Sequence, residues 1–360
     1  MTMKRARARE AGVPLRGVPR ALNAITDVAG VEVGMTTLIE GQSVRTGVTA
    51  IHPRGRAGLA DAIAAGFHSM NGNGEMTGVS WIRESGTLSG PICITNTHAI
   101  GVAHQGVIRW AHRRDPEGDA WLLPVVAETW DGYLNDAWAE SLKVEHVVDA
   151  LESAAGGPVA EGSVGGGTGM NCYHFKGGTG TSSRVVGDHV VGVLVQANFG
   201  ARRELTIAGV PVGLELPDDD PMAEAELKLK RPLPTLPAGG EGTSRSSIIG
   251  IALTDVPLTG HQCEALARRM PLGVGRTGTS VSHFSGDLFL AASVAREKTP
   301  LPWDQVDPLF EAVVQATEEA ILNALFVNEE MTGRDGHRSP ALPVGRVISL
   351  LERRALFDKR

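Results

Sequence analysis

Aromatic residues make up only 4% of this 360-residue chain, with two tyrosines among them, and there are only three cysteines. Cys93, Cys172 and Cys263 are an odd number set far apart, which excludes a disulfide framework and suits buried thiols in a reducing compartment. No apolar run approaches the roughly 18 residues of a membrane span, and no apolar stretch follows the N-terminal charges as a secretory signal would require. The chain therefore reads as cytoplasmic, with no membrane partner. An excess of positive charge is also missing. A net charge of -7 and an isoelectric point near 5.9 argue against nucleic acid or an anionic lipid surface as partner. The local basic cluster Lys4, Arg5, Arg7 and Arg9 reads as a solvated tail.

Several signatures of chemistry are lacking as well. There are eleven histidines, but none stands in an H-E-x-x-H or paired-cysteine spacing, so no metal is expected. The run Gly165–Gly169 lacks the Lys-Ser/Thr ending of a P-loop, and no G-x-S-x-G elbow occurs. The segment Gly72–Gly78, GNGEMTG, has the outline of a dinucleotide fingerprint. No strand is expected before it and no apolar helix after it, so a nucleotide is not expected either. No cofactor is implied.

What is present is core-forming material and many turns. Hydrophobic residues are 42% of the chain and glycines number 45, enough for one large domain or two ordinary ones with short elements between tight turns. Nearly continuous Val/Ile runs predict strands at 92–95, 124–127, 190–196, 248–253 and 288–292, of the kind buried on both faces. A helix is expected from Thr259, burying Cys263, Leu266, Ala267 and Met270. Another is expected with Asp307 as its cap and Pro308 in its first position, where the missing N–H costs nothing. A weaker one covers 101–113. Between the strands lies a conspicuous break at 218–246, which opens Asp218-Asp219-Asp220 and ends PLPTLPAGGEGTSR, the composition of a flexible connector. It runs directly into Ser247 and a buried strand.

From the residue alone, Ser247 reads as an ordinary strand serine. A second reading needs the bond between Ser246 and Ser247 to break. The serine hydroxyl attacks the preceding carbonyl and water opens the resulting ester. That leaves a serine whose own α-amine, of ordinary pKa about 7.7–8.0, can act as its base. No catalytic histidine is then required.

Nine segments in order decide between these readings: NAITDVAGVEVG (23–34), GNGEMTG (72–78), TNTHAIG (95–101), ETWDGYLND (128–136), FKGGTGTSSR (175–184), VGVLVQANFG (191–200), SIIGIALTDVPL (247–258), SGDLFLA (285–291) and ATEEAILNAL (316–325). With them the chain resembles the L-aminopeptidase/D-esterase (DmpA-like) family, which includes β-peptidyl aminopeptidases and, more distantly, nylon-oligomer hydrolases. The resemblance implies an α/β fold, a four-layer αββα sandwich of the N-terminal-nucleophile-like kind. It implies a single domain, 1–360, that self-cleaves into fragments 1–246 and 247–360. Its substrates would be small peptides, amides or esters, and the protein would be a homo-oligomer, a tetramer.

By the same resemblance Ser247 matches the nucleophile, and Ser285 and Asp287 match the polar pair beside it. Asn198 matches the oxyanion amide, Tyr133 a phenol near the nucleophile, and Lys176 a lysine implicated in maturation or in polarising the site. Glu128 and Asp131 are alternative holders of the substrate's ammonium. Two positions depart from the family's usual residues: Asp287, often Glu, and Ser246, often Gly. A residue larger than glycine is less able to take strained backbone angles, which predicts slower self-cleavage. Two rivals remain at this point: an ω-amino acid oligomer amide hydrolase, and an uncleaved binding scaffold.

Overall fold

In this computed structural model residues 5–59, 61–118, 121–228, 246–297 and 299–357 are described. The strands, in chain order, are β1 Glu32–Glu40, β2 Val44–His52, β3 Ile63–Gly72, β4 Thr87–Leu88, β5 Ile92–Asn96, β6 Val125–Thr129, β7 Asn171–Cys172, β8 Phe175–Lys176, β9 Gly178–Val186, β10 His189–Asn198, β11 Ser247–Thr254, β12 Gly286–Ser293, β13 Met331–Thr332 and β14 Arg338–Ser339. The helices are α1 Val79–Ser85, α2 Ile100–Arg114, α3 Val144–Glu152, α4 Pro221–Lys228, α5 Gly260–Ala267, α6 Met270–Arg276, α7 Asp307–Phe326 and α8 Val344–Phe357. Two large sheets result, one of order β1-β2-β5-β6 and the other of order β4-β3-β12-β11-β10-β9.

The side-chain alternation of the central strands explains the layers. Along β11, Ile249, Ile251 and Leu253 enter an apolar core shared with Ile51, Ile92, Ile94 and Val125 of the other sheet. Ile248 and Ala252 enter a different core with Leu266, Met270, Val313 and Ala316 of α5, α6 and α7. β12 divides in the same way, with Leu288 and Leu290 facing the other sheet and Phe289 and Ala291 facing the helices. A third cluster packs α2 and α3, through Val107, Trp110 and Val147, on the outer face of the four-stranded sheet. Strands buried on both faces have no polar side, hence the unbroken Val/Ile runs. The stack is helix, sheet, sheet, helix: the expected four-layer αββα sandwich. At β9 the helix layer comes so close that a Cβ on Gly180 would lie 2.0 Å from Ala320 O.

Five expectations change in detail. The helix from Thr259 starts as foreseen, in a reciprocal cap with Gln262, but it ends at Ala267, and Met270 opens α6 instead. Asp307 is the first helical residue of α7 and not its cap, because the short helix at Trp303–Gln305 runs on through a helical Val306. The segment GNGEMTG does follow a strand, β3, and precedes a helix, α1. The basic N-terminal cluster is no solvated tail among its described residues. Arg7 pairs with Glu161 at 2.7 Å and Arg9 with Glu319 at 2.7 Å, Arg5 donates to Asn328 O, and Ala8 between them is fully buried. Acceptors supplied by distant elements, invisible to a local charge count, hold the arm. Lastly, the connector expected at 218–246 begins in ordered contacts. Asp219 pairs with Arg338, Asp220 with His174 at 3.0 Å and Asp218 with Arg346 at 3.5 Å, and α4 follows. Residues 229–245 lie outside the described residues.

Candidate active site

Ser247 opens β11 at the centre of the six-stranded sheet. Its neighbour on one side is Asn198, the last residue of the antiparallel β10, and on the other Gly286, the first residue of the parallel β12. The two-residue period that sends Ile249 and Ile251 between the sheets sends Ser247 the same way. On β10 it does the same for Gln196 and Asn198, whose amides reach the other sheet and the residue that follows β6. Gln196 donates to Thr95 O at 2.9 Å, and Asn198 Nδ2 to Trp130 O at 2.9 Å. Both Ser246 and Ser247 are buried.

Asn198 is held at both ends of its amide, since Oδ1 accepts the Asn171 N–H at 2.9 Å. Asn171 is in turn the ladder partner of Lys176 in the β7–β8 hairpin. The structure thus brings Lys176 to the nucleophile strand through two short links. Lys176 is fully buried, and its ammonium donates to Met170 O at 2.7 Å and Gly177 O at 2.8 Å. Burial pushes its pKa down to about 7, as expected of an ammonium held only by neutral carbonyls.

On the other flank Ser285 and Asp287 are both fully buried. The Ser285 hydroxyl is within hydrogen-bond reach of Asp287 Oδ2 and of Ser282 O, the latter at 2.7 Å. Asn71, which the sequence reading missed, donates to Ser285 Oγ at 3.1 Å and to Asp287 Oδ2 at 2.8 Å. A bulge in the β12–β3 pairing, between Asp287 and Leu288, sets Asn71 opposite Asp287. Burial raises the Asp287 pKa against the opposing pull of Ser285, Asn71 and the Ile248 N–H.

The loop GNGEMTG connects this flank to Glu128. Asn73 N donates to Ser285 O at 3.2 Å, and Asn73 Nδ2 to Phe284 O at 2.6 Å. A Cβ on Gly74 would lie 3.0 Å from Gly286 Cα and 3.2 Å from Glu128 Oε1, so a larger residue would press on both neighbours. The Glu75 N–H goes to Glu128 Oε1 at 3.0 Å and the Thr77 N–H to Val126 O at 2.9 Å. The loop therefore points backbone donors at the protein itself, where a dinucleotide fingerprint would turn them toward phosphate. Glu128 also accepts from the Thr97 hydroxyl, and burial raises its pKa.

Asp131 and Tyr133 lie in different surroundings. The Asp131 carboxylate is wholly buried and faces Thr46 and Asn135 without closing a well-formed hydrogen bond to either, and desolvation pushes its pKa up to about 7. Thr46 and Asn135 also line a cavity of about 520 Å³ with Asn96 and His98, which does not include the Ser247 row. The Tyr133 ring stacks on His337 with centroids 4.8 Å apart, and its hydroxyl donates to Arg338 O at 3.1 Å.

A serine at a strand start, an immobilised amide on one side and a buried Ser–Asp–Asn cluster on the other suit acyl transfer. Comparison with known proteins agrees. The sequence profile described as peptidase family S58 matches residues 23–339. The β-peptidyl aminopeptidase BapA of Sphingosinicella microcystinivorans is 45% identical over 372 residues, covering 96% of this chain and 92% of its own. Among solved structures, the L-aminopeptidase D-Ala-esterase/amidase of Ochrobactrum anthropi, a prototype for the serine aminopeptidases and a variant among the Ntn hydrolase folds, superposes with a TM-score of 0.88. It is 41% identical and covers 97% of this chain and 99% of its own. A β-aminopeptidase of Burkholderia sp. gives 0.84 at 40% identity, with the same coverage.

Proposed function

The chain belongs to peptidase family S58, and from that membership we propose that it cuts its own Ser246–Ser247 bond and then uses Ser247 as an N-terminal nucleophile. The protein is a hydrolase of the N-terminal-nucleophile aminopeptidase/amidase kind, with the corresponding fold. The observation that carries the finer reading is the register Asn198–Ser247–Gly286, which sets the serine between an anchored amide and the Ser285–Asp287 pair.

In maturation the Ser247 Oγ–C bond to the Ser246 carbonyl forms, the peptide C–N bond breaks, and the hydroxyl proton ends on the departing nitrogen. Water then adds to the ester, releasing a Ser246 carboxylate and restoring the hydroxyl. In turnover the freed α-amine takes the Ser247 proton while Oγ attacks the substrate's carbonyl. The amine or alcohol leaves with a proton, and a second water resolves the acyl-enzyme.

Asn198 Nδ2, whose plane is fixed by Trp130 and Asn171, is the donor assigned to the developing oxyanion. A preorganised donor needs no reorientation when charge appears. Ser285 and Asp287 are the pair assigned to the hydroxyl and amine of Ser247. We assign the substrate's ammonium to Glu128, which accepts the Glu75 N–H of the loop that packs on Gly286, and leave Asp131 a structural part. Lys176 supports Asn198 through the hairpin, and Tyr133, held by His337 and Arg338, is the phenol assigned to the nucleophile's vicinity. The substrates proposed are small peptides, amides and esters with a free N-terminal amine, β-peptides among them, since relatives of 45% identity are β-peptidyl aminopeptidases. A cytoplasmic homo-oligomer, a tetramer, completes the proposal. Three buried free thiols support a reducing compartment.

The experiment is a denaturing gel of purified protein with N-terminal sequencing of the smaller band. Fragments of about 26 and about 12 kDa from the 37.9 kDa chain, the smaller beginning Ser-Ile-Ile, are expected. One full-length band with full activity would overturn self-processing.

A further inference from the structure

The carbonyl that must be attacked for self-cleavage, that of Ser246, accepts a backbone hydrogen bond from Gly286 N at 3.3 Å. We propose that this N–H is the oxyanion donor of the self-cleavage step, a catalytic group built from the first rung of the β11–β12 ladder. The inference rests on the proposed cleavage before Ser247 and adds to it the group that makes the uncut carbonyl reactive.

The argument is one of difference between ground and transition state. As Ser247 Oγ adds to the Ser246 carbon, negative charge collects on the very oxygen that Gly286 N–H already faces. A donor accelerates a reaction only as far as it binds the transition state better than the ground state. At 3.3 Å the bond is longer than the usual 2.9–3.0 Å of an N–H···O pair, so it has distance left to close as charge develops. The equivalent rung at the other end of the same two strands, Val294 N to Thr254 O, is already closed at 2.8 Å.

The donor is also fixed from behind. Gly286 has no Cβ, and one placed there would meet Asn73 O at 2.6 Å and Gly74 Cα at 2.7 Å. The preceding turn is tied by Asn73 to Phe284 O and Ser285 O. A backbone N–H seated in this way cannot swing aside, and both serines of the scissile bond are buried, where charge–dipole terms are stronger than in water.

The test replaces the peptide N–H with an ester oxygen, by incorporating glycolic acid at position 286 of the full chain during cell-free synthesis. The matching ester at position 294 is the control, since each removes one rung of the same ladder. Self-cleavage is followed on a gel from first synthesis. The expected result is cleavage slowed about 10²–10³-fold for the 286 ester relative to the 294 ester, with wild type cleaving normally. Equal rates for the two esters would overturn the proposal. A wild-type chain that never cleaves would overturn instead the reading on which it rests. Should the 286 ester fail to fold, Gly286→Ala keeps the N–H but sets a methyl against Asn73 and Gly74. Cleavage at least about tenfold slower is expected of it, and an unchanged rate would refute the role of this N–H as surely.

Discussion

Asn71 Nδ2 sits 2.8 Å from Asp287 Oδ2 and 3.1 Å from Ser285 Oγ, so one amide group orients both members of the polar pair beside Ser247. This bond favours the ionised form of a carboxylate whose pKa burial raises. Asn71→Asp would place two carboxyls within hydrogen-bond distance, where repulsion lets both be charged only at raised pH and at a cost. Relative to Asn71→Ser, it should lower kcat/KM a further tenfold or so on the alkaline side of the profile. The gap should narrow at lower pH, where the pair holds a proton. Profiles of kcat/KM from pH 5 to 9 measure this, and parallel curves for the two variants would show that Asn71 does not act through Asp287.

Asn198 provides a separate test of the oxyanion assignment. Asn198→Ala should reduce kcat by about 10²–10³ and change KM less, because the lost interaction belongs to the transition state. Its bonds to Trp130 and Asn171 mean that some packing is lost too. The thermal midpoint is therefore measured alongside, and near-normal turnover in a folded variant would rule the assignment out.

Glu128 and Asp131 separate by chemistry. Glu128→Gln should raise KM for substrates with a free amine about 10- to 100-fold, the range of one charge-assisted hydrogen bond, and leave N-acylated substrates unaffected. Asp131→Asn should act on stability instead. The folded pKa of Asp131, about 7, lies above its ordinary 3.8, so between those values the native state holds a proton that the unfolded chain has lost. Wild-type stability therefore falls as pH rises from about 4 to about 7 and levels beyond, a loss of up to about 4 kcal/mol from this residue. The asparagine variant should lack that slope. Thermal midpoints of both proteins across pH 4–8 decide, and equal slopes would contradict the proposed burial effect.

Much of this arrangement is legible in the sequence. Ser247, Asn198, Ser285 and Asp287 are adjacent in the sheet because three apolar runs recognisable as strands start or end at them, and the order of motifs located them all. Asn71 escaped because β3 alternates poorly: Phe67-His68-Ser69-Met70-Asn71 gives no two-residue apolar period, and the bulge that turns Asn71 toward Asp287 has no sequence signature. β9, GTGTSSRVV, was missed for a related reason. Its Thr and Ser hydroxyls are buried and bonded, Thr181 to Val193 O and Ser182 to Ala316 O, so its burial leaves no hydrophobic trace. Long-range acceptors such as Glu319, which receives both Arg9 and Arg184, cannot be inferred from local charge.

Lys176 makes a prediction of opposite sign to Asp131. Its ammonium is buried among carbonyls, and its pKa drops from 10.5 to about 7. Between those values the unfolded chain holds a proton that the native state has released, so wild-type stability rises with pH across this window. Lys176→Met, which keeps the volume, should remove the rise and stabilise the fold at pH 7 and below. Because the backbone partner of Lys176 is Asn171, which holds Asn198, the variant should still lose turnover, a separation of stability from activity. Denaturant midpoints from pH 6 to 10 with kcat at each pH check both. A variant that is less stable at pH 7 would mean that the ammonium is better solvated than its surroundings imply.

The proposed base supplies the last prediction. In the matured protein the α-amine of Ser247 begins β11, and Asp287 is the ladder partner of the next residue, Ile248. A carboxylate so placed favours the ammonium form and raises the amine's pKa. The amine must be neutral to take the hydroxyl proton, so kcat/KM should fall as pH drops through that pKa. Asp287→Asn removes the charge, and the acidic limb should move to lower pH while the plateau falls through lost positioning of Ser285. Histidines are the control. His52, His98 and His337 make their hydrogen bonds to carbonyls of Leu151, Ala137 and Tyr133, so replacing each by Gln should leave the limb in place. The measurement is the pH profile of kcat/KM for matured wild type, Asp287→Asn and each His→Gln variant. A limb that ignores Asp287→Asn but vanishes with one histidine would replace the α-amine with an imidazole base and require a different mechanism for Ser247.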